Sequence, residues 1–496
     1  MDEPGSGEAK RVRRGWRLLL GPALGAAALL LRPGDDPKIA WMAAVTIWMA
    51  AWWVTEAVPI PVTALLPLVL LPLTGIAGVE KVAPDYGQPT IFLFLGGFFV
   101  ALGLETTGLH RRLALLLVHK VGSRPRGLVL GFMLSAGLLS MWISNTAAVM
   151  VHLPIALSVL AAVRAKGTDE AAAGRLASAV LIAVAYGANI GGLATPVGTP
   201  PNLIYRDQLA MLFPRAPSPS FAQWMTLGVP LSAAYLGIGW LLLTRVTFRL
   251  GGEALLGSRD AVLAMRRELG PVRRDERLAA AVFLATALLW VLRGPLGLGN
   301  EKTDSVIAVA AGISLFVLPS RDRPGERLLE WRDTARLPWG MLLVFGGGFA
   351  LATGFQTSGL SAWLGDRLAA LHGIPPFLLM LIVCVGLAIL TEFASNTAAT
   401  QMVLPVLAAA STAAGTDPRY LMIPATLAAS CGFMMPVGSP TQTIVFGTGL
   451  VPVRDMVRAG IWFDLLGIAL IAVLFGLVAA PVLGIDAGVL PSWAKP

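Results

Sequence analysis

The chain has 496 residues, 56% of them hydrophobic and only 14% charged, with a mean hydropathy of +0.72. Soluble domains carry roughly a quarter charged residues, so a soluble globular class is excluded. The net charge of +9 does not mark a nucleic-acid binder, because the Arg and Lys residues sit in short loops between apolar runs and not on one soluble face.

Taken in order, the apolar runs predict spans near 17–32, 38–58, 60–78, 90–109, 176–204, 223–244, 278–293, 304–319, 338–360, 420–449 and 460–483. Each is near the ~20 residues a bilayer requires. The first follows Lys10, Arg11, Arg13, Arg14 and Arg17. It resembles a signal peptide, but no clear small-x-small cleavage site precedes a polar mature domain, so a first helix with a cytoplasmic N-terminus is the simpler reading. Cys384 and Cys431 both lie in apolar runs and read as packing residues, not a disulfide.

Two apolar segments, 127–163 and 377–415, are too long for one crossing, and each has a polar cluster at its middle. Arg111, Arg112, Lys120, Arg124 and Arg126 precede the first; Arg164, Lys166 and Arg175 follow it. Positive loops stay cytoplasmic, so this segment is expected to enter and leave on one side, as a re-entrant hairpin or at most a tight two-pass unit. With eleven spans and two hairpins, loop 245–277, loop 321–336, Arg454 and Arg458 also fall inside. The second hairpin and the C-terminus then lie outside, with Arg206 and Arg215 as exceptions to the rule. Stretch 253–277 reads as an amphipathic surface helix or a plain solvated loop.

The sequence repeats itself. At an offset of 251, Gly96-Gly97-Phe98 recurs as Gly347-Gly348-Phe349, Gly108-Leu109 as Gly359-Leu360, and Ser144-Asn145-Thr146-Ala147-Ala148 as Ser395-Asn396-Thr397-Ala398-Ala399. At an offset of 240, Pro196-Val197-Gly198-Thr199-Pro200 recurs as Pro436-Val437-Gly438-Ser439-Pro440. By the charge count the copies cross in opposite directions, the inverted repeat common among secondary transporters. The expected fold is therefore an all-α polytopic membrane protein of about eleven transmembrane helices plus two re-entrant hairpins. It divides into N-terminal helices (1–89), a first repeat core (90–220), connecting helices with basic loops (221–336), a second repeat core (337–450) and a C-terminal helix (451–496).

Backbone at mid-membrane must line a cavity or be buried in protein. Each Ser-Asn-Thr triplet offers side-chain oxygens and an amide where one half-helix ends and another starts. The new helix turns its free N–H groups to the tip, which suits an anion, and the old one leaves unpaired carbonyls, which suit a sodium ion. Proline forces each 196–202 and 436–442 element open, with Thr199 and Ser439 as caps and Pro200 and Pro440 as first helical residues. No Arg, Lys or His is present in these motifs. Desolvating a dianion there needs a compensating charge, so co-bound sodium is expected. Glu56, Glu105 and Glu392 are predicted near membrane depth; Glu56 serves equally as a structural ion pair or cap, Glu392 is a candidate for tuning a second sodium site, and His152 reads as a packed histidine.

These motifs, with Thr55-Glu56-Ala57-Val58-Pro59-Ile60-Pro61 and Gly198-Thr199-Pro200-Pro201-Asn202, resemble the divalent anion–sodium symporter family, the INDY-like dicarboxylate, citrate and sulfate transporters, over nearly the whole chain. The resemblance implies a plasma-membrane homodimer with a scaffold and a moving transport part working as an elevator. It implies a first sodium site at Ser140, Ser144, Asn145 and the Gly198 backbone. A second would use Thr391, the Ala394 backbone, Asn396 and the Gly438 backbone. Substrate carboxylates would meet Asn145, Thr146, Thr199, Asn396, Thr397 and Ser439. Where the family usually has Pro-Asn in the second repeat, this chain has Thr441-Gln442, which bears on substrate preference. C4-dicarboxylates such as succinate are the expected cargo. Sulfate, citrate and sodium-independent exchange are the nearest alternatives; an ion-coupled antiporter, a channel and a membrane enzyme are more distant, and no His-Glu-x-x-His or Gly-x-Ser-x-Gly motif is present.

Overall fold

A computed structural model describes residues 6–31, 33–120, 124–165, 169–251, 258–294, 296–298, 303–368 and 373–495. Lys166, residues 252–257 of the basic loop and the side chains of Lys10, Arg11, Arg13 and Arg14 lie outside the description. Among the described residues the chain is helical, with one isolated bridge between Pro319 and Arg327 and no strand. Among the described residues, six helices are long and apolar enough to cross a bilayer.

The first part holds α1 (Ser6–Leu31), α2 (Pro37–Thr55), α3 (Ile60–Thr63), α4 (Leu66–Leu73) and α5 (Val79–Val82). The single span expected over 60–78 is thus divided: Pro61 and Pro67 each sit within the first two positions of a new short helix, where a missing N–H costs nothing. The two repeats then appear as matching sets of six helices. The first is α6 (Pro89–Thr107), α7 (Leu109–Lys120), α8 (Pro125–Ser140), α9 (Asn145–Ala165), α10 (Glu170–Gly192) and α11 (Pro200–Leu212). Between the sets lie α12 (Phe221–Leu241), α13 (Ser258–Glu268), α14 (Arg274–Leu292) and α15 (Thr303–Val317). The second set is α16 (Trp339–Ser358), α17 (Leu360–Leu368), α18 (Pro376–Thr391), α19 (Asn396–Ala413), α20 (Pro418–Ala428) and α21 (Pro440–Phe446), followed by α22 (Val453–Leu474) and α23 (Ala480–Leu483). The basic stretch before α14 is helical over α13, with Val262 and Met265 buried.

The repeated glycines have distinct jobs. Gly108 and Gly359 end α6 and α16 in the left-handed region, at φ 80° and 78°, which glycine adopts without a Cβ penalty. Gly96 of α6 lies directly on Ala308 of α15, and Gly347 of α16 on Ala64 of the α3–α4 junction, the small-residue packing by which membrane helices approach closely. Phe94 and Phe345 stack between α6 and α16 with ring centroids 4.3 Å apart.

The halves interlock. α8 and α9 pack on α10, and α18 and α19 on α20; crosswise, α21 packs against α9 and α10, while α11 packs against α19 and α20. A polar seam joins α11 to the helices around it. Arg206 and Arg293 both pair with Asp304, at 3.1 and 2.7 Å, Thr90 Oγ1 donates to Asp207, and Gln208 Nε2 donates to Gly348 O at 3.0 Å. Arg206 is therefore a buried ion-pair partner on α11 and not a loop charge.

Candidate substrate and sodium site

Each hairpin tip is a short non-helical joint. At the first, α8 stops at Ser140 and α9 restarts at Asn145; at the second, α18 stops at Thr391 and α19 restarts at Asn396. The proline elements open between Gly192 and Pro200, and between Ala428 and Pro440. Thr199 and Ser439 occupy the two N-cap positions in extended conformation, with Pro200 and Pro440 following as expected. Asn202 ties the first opening together by donating to Gly192 O (3.1 Å) and Thr195 O (2.8 Å).

All four joints border one cavity of about 1920 Å³, and Asn145, Thr146, Thr199, Asn396, Thr397 and Ser439 all line it. α9, α11 and α19 start at it, so their free N–H groups and positive dipole ends favour negative charge there. Arg17, Glu56, Glu105, Arg111, Glu268 and Arg336 border the same cavity.

Of the residues expected at the first cation position, Asn145 and Gly198 flank Gly192, and Ser140 is tied to Asn145. Ser140 Oγ donates to Asn145 Oδ1 at 2.7 Å. A Cβ on Gly192 would lie 2.7 Å from Asn145 Oδ1 and 3.1 Å from Gly198 O. Side-chain and main-chain oxygens thus converge on a spot only glycine leaves open. Ser144 is the exception: its hydroxyl accepts from Ala147 N (3.2 Å) and caps α9. At the second tip, Thr391 and Gly438 both flank Gly432, whose Cβ position is 3.0 Å from Thr391 Oγ1. Thr391 donates to Ala388 O at 3.0 Å, which leaves its oxygen free to accept. Ala394 and Asn396 face the same cavity, and Asn396 Oδ1 is buried without a hydrogen-bond partner. A buried orphan acceptor is costly unless a donor or cation meets it. These donor sets, neutral oxygens throughout, fit a hard cation such as sodium.

Residues 16–485 match the family described as the sodium:sulfate symporter transmembrane region. The chain belongs to this family. A protein of Staphylococcus saprophyticus named sodium-dependent dicarboxylate transporter SdcS is 39% identical over 479 residues, spanning 95% of this chain and 92% of that one. Its namesake in Staphylococcus aureus is 40% identical with the same coverage. Two solved structures share the fold. The Alcanivorax borkumensis YdaH transporter has a TM-score of 0.55 and 19% identity over 81% of this chain and 88% of that one. Neisseria gonorrhoeae MtrF has a TM-score of 0.58 and 14% identity over 82% and 84%. As a member of the sodium:sulfate symporter family, the chain is an all-α polytopic membrane transporter and not an enzyme.

In this symporter-family chain the acidic residues separate by role. Glu392 is fully buried and accepts from Met434 N (2.8 Å) and Met435 N (2.7 Å), while Asp464 Oδ1 accepts from Phe433 N (3.1 Å). Two carboxylates therefore pin the opened backbone of the second repeat, and Glu392 Oε2 lies 3.4 Å from the Cβ position of Gly438. Glu56, held at φ 47°, is exposed and Glu105 half-buried, and both border the cavity. His152 joins the arms of its hairpin, with Nδ1 2.7 Å from Ala148 O and Nε2 2.7 Å from Ser135 Oγ, a packed histidine as expected. Asn189 of α10 and Asp464 of α22 were not singled out from sequence. Asn189 carries no repeat signal, because the offset of 240 aligns it with Ala429. An intramembrane acid, however, is itself a signal that pointed to Asp464.

Proposed function

We propose that this transporter is a sodium-coupled symporter of small dianions, with C4-dicarboxylates such as succinate as its first substrates. One observation carries the reading: two matched Ser-Asn-Thr tips and two proline-opened helices bring six hydroxyl and amide side chains to one cavity whose motifs hold no basic residue. One carboxylate is held at each tip by Asn145 and Thr146 or by Asn396 and Thr397, with Thr199 and Ser439 beside them. Helix starts supply partial positive charge, and cations at the two oxygen clusters supply the rest, so anion and sodium bind together. The relatives named sodium-dependent dicarboxylate transporters, at 39% and 40% identity, support the same cargo and the same ion.

The loop charges put α13, Arg111 and Arg336 on the cytoplasmic side, so the cavity opens inward in this conformer. The N-terminus is then cytoplasmic, the C-terminus outside, and the membrane is the plasma membrane. The hairpins with α10, α11, α20 and α21 form the unit that moves as an elevator against a frame of α1–α6 and α14–α16, and two copies pair through their frames. Uptake of labelled succinate, citrate and sulfate into proteoliposomes, with and without a sodium gradient, tests the proposal. Sodium-driven succinate uptake is expected. Uptake unchanged when choline replaces sodium on both sides refutes the coupling, and preference for sulfate or citrate refutes the cargo.

A further inference from the structure

A line of hydrogen-bonded side chains crosses from the first repeat into the second, and Asn189 is its centre. Asn189 lies on α10 one turn before Gly192 and is buried, 2% exposed. Its Oδ1 accepts from Asn145 Nδ2 at 3.3 Å and from Thr441 Oγ1 at 3.0 Å, and its Nδ2 donates to Ser439 Oγ at 3.1 Å. Beyond Asn145 the line ends on the Ser140 hydroxyl; beyond Ser439 it ends on Gln442, whose Oε1 accepts the Ser439 proton and whose Nε2 donates to Met435 O at 3.1 Å.

The direction of each bond in this line is not independent. An amide has one accepting and one donating end, so turning one over reverses its neighbour. A cation on Asn145 Oδ1 fixes that amide with Nδ2 toward Asn189. Asn189 must then present Oδ1 to Asn145 and Nδ2 to Ser439. Ser439 Oγ, receiving a hydrogen from Asn189, keeps its own proton to give away, either to Gln442 Oε1 or to an anion oxygen in the cavity. With both amides turned over, Asn189 Oδ1 faces Ser439 and consumes that proton, and the hydroxyl has nothing to donate to an anion. Thr441 holds either arrangement, since its hydroxyl donates to Asn189 Oδ1 in the first and accepts from Nδ2 in the second, and it also lies 2.6 Å from Ser439 Oγ; the choice is therefore set by the cation on Asn145.

We propose that Asn189 is a positioning residue that couples the cation position at the first hairpin tip to the anion-facing hydroxyl of Ser439 in the opposite repeat, through the bond line Asn145–Asn189–Ser439. This rests on the sodium-coupled reading of the site. The device is built by this chain's own departure from symmetry. Thr441 and Gln442 stand where the first repeat has Pro201 and Asn202, and Ala429 stands where a second strut would be. Asn202 donates its amide to two main-chain carbonyls of its own repeat; Gln442 divides its amide, Nε2 donating to Met435 O and Oε1 accepting from Ser439, and the Thr441 hydroxyl donates across to Asn189. Among the described residues the other tip has no such line, and Asn396 Oδ1 is left without a hydrogen-bond partner.

The test is the coupling factor, the ratio of succinate dissociation constants at low and saturating sodium, measured by equilibrium binding to the purified full-length protein. Coupling free energies of this kind correspond to factors of about 5–150. Asn189→Ala is expected to shrink the factor by about fivefold or more, through weaker succinate binding at saturating sodium, with sodium-free thermal stability measured alongside. Thr441→Val keeps the shape and removes the hydroxyl that bridges Asn189 and Ser439, so it reads the same bond line where Asn189→Ala does not fold. In a cycle with Ser439→Ala, removing Asn189 should cost clearly less coupling than it does in the wild type, because the route through the Ser439 hydroxyl is gone. A coupling factor unchanged in Thr441→Val and in folded Asn189→Ala, in a wild type that does bind succinate with sodium, overturns the strut and leaves the proposed function standing. A wild type with no sodium dependence overturns both.

Discussion

Gly192→Ala tests the first cation position with a single methyl group. In a helix this change is favourable by itself, since alanine outranks glycine by about 1 kcal/mol, so instability cannot come from propensity. The added carbon would sit 2.7 Å from Asn145 Oδ1 and 3.1 Å from Gly198 O, against ordinary contact beginning at 3.4 Å. Asn145 must retreat by about 0.7 Å, beyond the ~0.5 Å tolerance of a functional site. Losing one oxygen from a charged centre costs about 1.5–3 kcal/mol, which is roughly ten- to a hundredfold in sodium affinity. Sodium titration of thermal stability, with and without succinate, reads this directly. Gly174→Ala on the same helix meets nothing within 4 Å and is the matched control, expected to titrate as wild type. If Gly192→Ala also binds sodium like wild type, the oxygens around Gly192 do not form a cation site.

Other outcomes follow from the same geometry. Thr146→Val and Thr397→Val keep shape and remove one hydroxyl each, so each should weaken succinate binding by about ten- to a hundredfold; wild-type affinity in both would move the anion site away from the tips. Asp304→Ala leaves Arg206 and Arg293 without their shared carboxylate and should cost about 3–5 kcal/mol, seen as a fall in Tm in detergent, whereas replacing all three by apolar residues should recover most of it. Single cysteines at Lys120 and Asp169 should react with a membrane-impermeant thiol reagent from the cytoplasmic side only; Cys384 and Cys431 are buried and give a quiet background. Labelling of the two positions from opposite faces would rule out a re-entrant first hairpin.

The repeat was legible because its residues answer to backbone needs that any copy shares. Gly108 and Gly359 are helix ends, Pro200 and Pro440 are helix starts, and the Ser-Asn-Thr tips restart helices at one cavity. What sequence did not yield was whatever breaks the symmetry. Asn189 pairs with Asn145, 44 residues before it, and with Ser439 and Thr441, 250 and 252 residues after it, and a lone asparagine in an apolar helix looks like any packing polar group. Glu392 was visible as an intramembrane acid, but its partners, the N–H groups of Met434 and Met435, exist only once the second opening has formed. Short α7 and α17 lie almost wholly outside the predicted spans because their apolar stretches are far below spanning length. The division of 60–78 was missed because its mean hydropathy outweighs two prolines in a window average.

The crosswise interlock also sets a schedule for making the protein. Tyr186 donates to Phe433 O, Tyr235 to Phe463 O, and Asn189 to Ser439 Oγ; in each case a polar group of the early chain is satisfied by residues at least 228 positions later. At about 5–20 residues per second of synthesis, the first half waits roughly 10–50 s in the bilayer with hydroxyl and amide groups that hydrocarbon cannot satisfy. Nascent chains halted before residue 433 should therefore be held by insertion or quality-control factors and cleared faster than full-length chains, and the two halves expressed as separate polypeptides should accumulate only when made together.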